Sequence, residues 1–382
     1  MTFNNSKCKV MTLNLRKPPV TFKLFGKNID SVTEYKYLGV KLSNKRQTSL
    51  VTQHISSILE KAGRRVNCIR HYGFSSDGLR PATSIKMYKI LVRPILEYAG
   101  QVLSYRHYYY YSNGNDSRNK ADLNEHIVKL EAFQNRVLKM LVPCSKSTSP
   151  AIVRIFSGCM PIDARIDILK LRYFWRITQA NDNNLAFSIL KYTREELHTR
   201  KIGFIHEVFK LCQKHNCLYV WLKIKRPKEN PLETIRRTVE QNYLKKGQAV
   251  CLASTCIYSS SLYTGNAFKQ KKYIFEKIFN TIGLFPDADG RRQFIFALLD
   301  RCNFERVCPK CSVRTFDILK HFLNDCPRTD LLRLLLKIKL KLYNAPVSAD
   351  FTNKEQLFSL AINGKTVYLK IFSQFLANTR TI

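Results

Sequence analysis

Four residues in the stretch CPKCSVRTFDILKHFLNDC have the types and the spacing to hold a metal ion: Cys308, Cys311, His321 and Cys326, in the pattern C-x2-C-x9-H-x4-C. A C-x2-C pair places two thiolates of one tight turn on a single ion. A helix starting near Thr315 or Asp317 carries His321 on a face turned back toward that turn. Three thiolates and one imidazole form a closed tetrahedral set, the donor set of structural rather than catalytic zinc. The competing reading is that these are buried, unligated cysteines, a common fate of the residue type.

Other groups that could do chemistry are weaker. Asp163 and Asp167 are four apart and share a helical face, so they could bind a metal, but with Arg165, Lys170 and Arg172 close by they read as surface ion pairs. Cys212, His215 and Cys217 lie in an apolar-periodic helix and lack a fourth ligand, and nothing in the spacing of Cys251 or Cys256 supplies one. Asp287 and Asp289 belong to a PDADG turn, where aspartate is ordinary turn chemistry. There is no phosphate-binding glycine loop, no G-x-S-x-G, no H-E-x-x-H and no adjacent aspartate pair for two-metal polymerisation.

Charge points to a partner. Lys and Arg total 64 against 28 Asp and Glu, a formal net charge of +36 over 382 residues. An excess of this size favours a polyanion, and nucleic acid, RNA or DNA, is the commonest. The residues placed to contact it are Lys61, Arg64 and Arg65 on one helix and Arg136 on another. To these are added Lys223, Lys225, Arg226 and Lys228 in the basic stretch WLKIKRPK, and Lys310, Arg314 and Lys320 around the cysteine knuckle. From residue 197 to 250 there are twelve Lys or Arg against four Glu, with Tyr219 and Trp221 among them. A solvated face is the plainer reading of such a run. Tyr108 to Tyr111 and, in the knuckle, Phe316 and Phe322 could stack on bases, although the expectation for them is packing, with Phe316, Phe322 or both in a small core beside the metal. No run approaches 18 apolar residues, so a membrane is not the expected partner. The first residues lack the apolar core of a signal peptide, which makes a reducing nuclear or cytoplasmic setting the expectation and disulfides unnecessary.

The elements that must position these groups read as mainly α-helical, with a small N-terminal β-sheet and a C-terminal zinc knuckle. The segments CKVMTLN, VTFKLF and YKYLGVKL read as short strands within residues 1–45, with Gly39 at a bulge or a tight backbone approach. Residues 46–182 read as helices. Leu50, Ile55, Ile58, Leu59, Ala62, Val66 and Ile69 form one apolar stripe, with the basic residues mostly off it. A second helix begins near Pro81 and is bent or divided by Pro94, which removes a backbone donor. A third runs from about 122 to 141 with Gln134, Asn135 and Arg136 as a polar insertion. One opening at Pro161 places Ile162, Ile166, Leu169, Tyr173 and Ile177 on one side. The polar loop SNGNDSRNK and a boundary near residues 181 to 184 separate these from a basic helical region, 183–300. The last region, 301–382, holds the knuckle and then LLRLLLKIKLKLY, an amphipathic helix that needs a surface to cover it, in this chain or in another.

At Tyr37-Leu38-Gly39-Val40, VRPILEYAG and LEAFQNRVLKML the chain resembles the C-terminal region of non-LTR (LINE-type, jockey- or CR1-like) retrotransposon reverse transcriptases. NNSKCKVM is similar to the lysine-containing segment just after that family's palm motifs, and FSGCMPIDARIDILKLRYFWRI to the stretch beyond its thumb. Cys308, Cys311, His321 and Cys326 match its Cys-Cys-His-Cys knuckle. The resemblance covers most of the chain and is loose between 197 and 290. It implies the end of a palm, a thumb, a helical connector and a zinc knuckle that grips template RNA or target DNA. It also implies a catalytic half of a retroelement polyprotein as a partner, because the family's polymerase aspartates lie upstream of the part matched. No catalytic residue is assigned in this chain; the alternatives are a zinc-stapled protein-interaction module and part of an active reverse transcriptase.

Overall fold

The computed structural model describes residues 8–12, 21–44, 47–74, 78–103, 125–142, 144–180, 183–195, 203–222, 230–252, 294, 306–346, 353, 356–358, 360 and 366–379. In chain order the elements begin with strands β1 (Lys23–Leu24), β2 (Lys27–Asn28), β3 (Glu34–Tyr37) and β4 (Val40–Ser43). Helices α1 (Gln47–Arg70), α2 (Pro81–Met87), α3 (Arg93–Glu97), α4 (Glu125–Leu141), α5 (Pro150–Phe156) and α6 (Ile162–Thr178) follow. Next come α7 (Leu185–Glu195), α8 (Phe204–Lys214), α9 (Leu218–Trp221) and α10 (Pro231–Leu252). The C-terminal part holds strands β5 (Arg306–Val307) and β6 (Arg314–Thr315), then helices α11 (Ile318–Asn324), α12 (Asp330–Leu342) and α13 (Thr366–Thr379). The described chain is mainly helical, and each of its three sheets has two strands. Two compact units divide the chain, each drawn from three stretches: 1–65, 93–133 and 162–239 in the first, 66–92, 134–161 and 240–382 in the second.

In the first unit, YKYLGVKL is not one strand but a hairpin. Tyr37 pairs with Val40 across Leu38 and Gly39, whose φ values of 45° and 82° give the two-residue turn that matches strand twist. Gly39 is therefore a turn residue rather than a bulge, and the close approach expected of it is real: a Cβ there would lie 3.0 Å from the Tyr98 hydroxyl oxygen. That hydroxyl donates to the Leu38 carbonyl, so YLGV and VRPILEYAG meet in space. Phe25 and Gly26 form a second such turn between β1 and β2, and Val10 makes one parallel bridge to Ser31. The N-terminal strands are thus separate hairpins, because each turn closes after two residues.

The α1 stripe is buried as expected at Ile55, Ile58, Ala62, Val66 and Ile69. Before Pro94 the helix leaves the α pattern, and Tyr88–Val92 form a π-helical turn. A proline that cannot donate and crowds the preceding turn accounts for that local widening. Helix α6 departs most from its sequence pattern. Leu169, Tyr173 and Ile177 are only half-buried, while Asp167, Ile168, Lys170, Leu171 and Phe174 are fully enclosed. It packs against α3, α7 and α8 together, so more than one face is covered. Trp221 belongs to this core: it stacks on Phe174 at 5.7 Å, with the Arg194 guanidinium 4.7 Å over its ring.

In the second unit, Phe294, Phe358 and Phe372 form an aromatic cluster, and α12 packs against α13. Gln134 is buried and donates to the Met160 carbonyl at 2.9 Å, while Arg154 donates to Asn135 Oδ1 at 2.7 Å. Two residues of the polar insertion in α4 are therefore joints to the segment around α5. The segments at Tyr108 to Tyr111, 112–120, 259–265 and 268–282, and PDADG, lie outside the described residues.

Candidate metal centre

The knuckle is built by a turn, a two-residue hairpin and a short helix. Cys308 N–H donates to the Val313 carbonyl at 2.8 Å and Ser312 N–H to the Cys308 carbonyl at 2.9 Å, with Ser312 at φ 62°. This closes the loop that holds Cys308 and Cys311. The hairpin β5–β6 returns the chain, and Asp317 caps α11 by accepting from the Lys320 N–H at 2.9 Å. The helix then carries His321 to the turn, close to where its spacing predicts. Cys326 N–H donates to the His321 carbonyl at 2.8 Å and ends the helix with its thiol facing inward.

The four ligand atoms lie within 4.8 Å of one another and can hold one metal ion. Cys308 Sγ is 3.9 Å from Cys326 Sγ, and Cys311 Sγ is 3.1 Å from His321 Nε2. A tetrahedron with metal–sulfur bonds of about 2.3 Å has edges of roughly 3.8 Å, which the Cys308–Cys326 separation of 3.9 Å matches. Burial works against the Cys308 thiolate, but the backbone N–H groups of Cys311 and Lys310 and the neighbouring thiols outweigh it and hold its pKa below the usual thiol value. The Val313 N–H favours the Cys311 thiolate, yet burial and the adjacent thiols of Cys308 and Cys326 raise its pKa.

Two supporting residues have no signal in the metal motif. Thr329 Oγ1 donates to the carbonyls of Phe322 (2.9 Å) and Cys326 (3.0 Å). Arg333 Nη1 reaches the same two oxygens at 3.1 and 2.9 Å and also pairs with Asp330. These bonds tie the last ligand to α12. The spacing of Arg333 within a leucine-rich helix suggests only a solvated cation.

Of the candidate nucleic-acid contacts, Lys310, Arg314 and Lys320 are all exposed, Lys310 in the turn, Arg314 on β6 and Lys320 on α11. On α1, Arg64 and Arg65 are exposed and Lys61 is half-buried, while Arg64 pairs with Glu60 at 2.9 Å. Arg136 is exposed on α4. Lys223, Lys225, Arg226 and Lys228 lie outside the described residues. Trp221 is enclosed, so it is not a free ring beside that strip. Phe322 is buried next to His321, whereas Phe316 is 59% exposed, so Phe322 but not Phe316 belongs to the small core.

Asp163 and Asp167 are not a surface pair. Asp167 is fully buried and accepts from Lys214 Nζ and His215 Nε2, both at 2.9 Å; Asp163 is 3.4 Å from Lys214. Arg165 turns to Glu97 at 2.7 Å and Lys170 to Glu207 at 2.5 Å. The partners come from α3 and α8, which same-helix spacing cannot reveal. His215 is thereby used by Asp167, and Cys212 and Cys217 are buried together; the neighbouring Cys217 thiol, then burial, push the Cys212 pKa up.

No family model, no curated protein and no solved structure matches this chain. Among the described residues no helix is long and apolar enough to cross a membrane.

Proposed function

We propose that this chain binds nucleic acid, with a structural zinc ion stapling its C-terminal knuckle. The observation that carries the reading is the clustered Cys3His set in a module that also exposes three cations, Lys310, Arg314 and Lys320. Three thiolates and an imidazole suit zinc, and a closed set with no open position gives the metal a folding role. The +36 charge supports a polyanionic partner for the whole chain. The order of YLGV, VRPILEYAG, LEAFQNRVLKML and the knuckle supports a retroelement origin, as the thumb, connector and knuckle of a non-LTR reverse transcriptase. In that setting the chain grips template RNA or target DNA, and the chemistry belongs to a palm outside the matched region.

Salt titration tests the reading. Binding of a labelled RNA or DNA of defined length should weaken steeply as salt rises, with log K falling linearly against log salt. A flat response sinks it. One observation favours a protein partner instead: Leu331, Leu334, Leu335, Ile338 and Leu342 form an exposed apolar face on α12. Salt-insensitive capture of a protein through that face, with no nucleic-acid affinity, would establish the rival.

A further inference from the structure

Helix α12 is covered on one side. Leu336 and Leu340 are buried there, and the helix packs against α13. Both of its ends are held. Arg333 donates to the carbonyls of Phe322 and Cys326, and the Tyr368 hydroxyl of α13 lies 3.1 and 2.9 Å from the carbonyls of Tyr343 and Asn344. The other side is apolar and open to solvent. Leu331, Leu334, Leu335, Ile338 and Leu342 are all exposed, Leu331 by 69% and Leu342 by 73%. At about 100° per residue they fall on one stripe, about 17 Å long. Leu331, Leu335, Ile338 and Leu342 follow at steps of four, three and four residues, the spacing of a coiled-coil seam.

Charge borders the stripe on both edges. Lys337 and Lys341 lie along one edge and Lys339 along the other, all three exposed. Lys339 Nζ reaches Gln374 Oε1 at 3.3 Å. Among the described residues none of the three forms an ion pair, and Asp330, the one acid of α12, is taken by Arg333. The complementary surface is apolar along its middle and acidic at its margins. A second copy of this chain does not supply it, because a two-fold contact sets the lysines of one α12 against those of the other. A bilayer fits less well, since the stripe is aliphatic throughout and carries no Trp or Phe to anchor it at the interface.

We propose that α12 docks an acidic amphipathic helix of a partner protein, about three turns long. Its apolar residues pack on Leu331, Leu335, Ile338 and Leu342, and its carboxylates face Lys337, Lys339 and Lys341. A helix already fixed at both ends loses little freedom on binding, which favours the contact. The inference goes beyond the nucleic-acid reading and does not depend on it, because none of these residues is assigned to nucleic acid.

The test uses the full zinc-loaded chain and a fluorescein-labelled three-heptad peptide with leucine at a and d, glutamate at e and g, and alanine elsewhere. A scrambled peptide of the same composition controls for charge alone, as a chain of net charge +36 requires. The seam peptide should bind about tenfold more tightly than the scrambled one. Ile338→Asp should weaken it about tenfold, with melting and zinc content unchanged, since Ile338 is exposed. Combined Lys337→Glu and Lys341→Glu should weaken the glutamate peptide and strengthen binding of its lysine counterpart, a reversal that general stickiness does not produce. Equal binding of seam and scrambled peptides, or of parent and Ile338→Asp, overturns the docking. Dimerisation of the parent in sedimentation that Ile338→Asp abolishes overturns it in favour of a second copy. Binding to phosphatidylserine vesicles that the same variant abolishes, with no preference for the seam peptide, overturns it in favour of a bilayer.

Discussion

Cys308 is enclosed, accepts the Lys310 N–H at 3.4 Å, and stands 3.9 Å from Cys326. Serine at this position removes one of four donors from a module whose hydrophobic contents are few, chiefly Leu319, Phe322 and Leu323. Cys308→Ser should therefore lose the one equivalent of zinc expected per chain and unfold residues 305 to 330 locally. Elemental analysis together with hydrogen exchange of the 306–326 amides checks both effects. Finding no metal in freshly purified parent protein removes the zinc. His54 carries a prediction of a different kind. Burial, with a smaller contribution from Lys61, holds its pKa below the ordinary 6.5, against the raising effect of its hydrogen bond to the Tyr98 carbonyl. Its unfolded form accepts a proton first as pH falls, so the stability contributed by neutral His54 is full above about 6.5 and lost from there down through the folded pKa. Urea midpoints measured between pH 7 and 5 should fall less steeply in His54→Gln than in the parent.

At the scale of elements, α6 and α8 are joined by charges that local spacing conceals. Lys170 and Glu207 are both enclosed, and Lys170 also donates to the Leu103 carbonyl at 3.1 Å. Removing one member leaves the other buried and unpaired, so Lys170→Met should cost about 3–5 kcal/mol. Lys170→Met combined with Glu207→Leu should regain most of that, because no uncompensated charge remains. Denaturant melts of the two singles and the double form the cycle that checks it. The α1 stripe, the break at Pro94 and the start of α11 were legible in the sequence because each depends on residues within a few positions. The environment of α6 was not, since burial of Asp167 and Lys170 depends on partners some 37 to 48 residues away. Hairpin register near Gly39 falls between these cases. The glycine marked a special backbone, and the structure showed why a side chain there is disfavoured: a φ of 82° and the approach of Tyr98.

Across the whole molecule, charge and metal act at different ranges. The excess of +36 biases encounter with any polyanion, whichever residues would finally touch it. The knuckle acts over one small module within the second unit. Sequence alone determined the net charge, the helical character and the Cys3His set, because composition, hydrophobic period and ligand spacing are properties of the chain itself. Tertiary structure decided which groups are free to act. It enclosed Trp221 and Phe322 and left Phe316 outside, turned Asp167 inward to Lys214 and His215, and placed Arg333 on the carbonyl of Cys326. The physical reason is that burial and pairing depend on what folds against a residue, and those neighbours are distant in the chain.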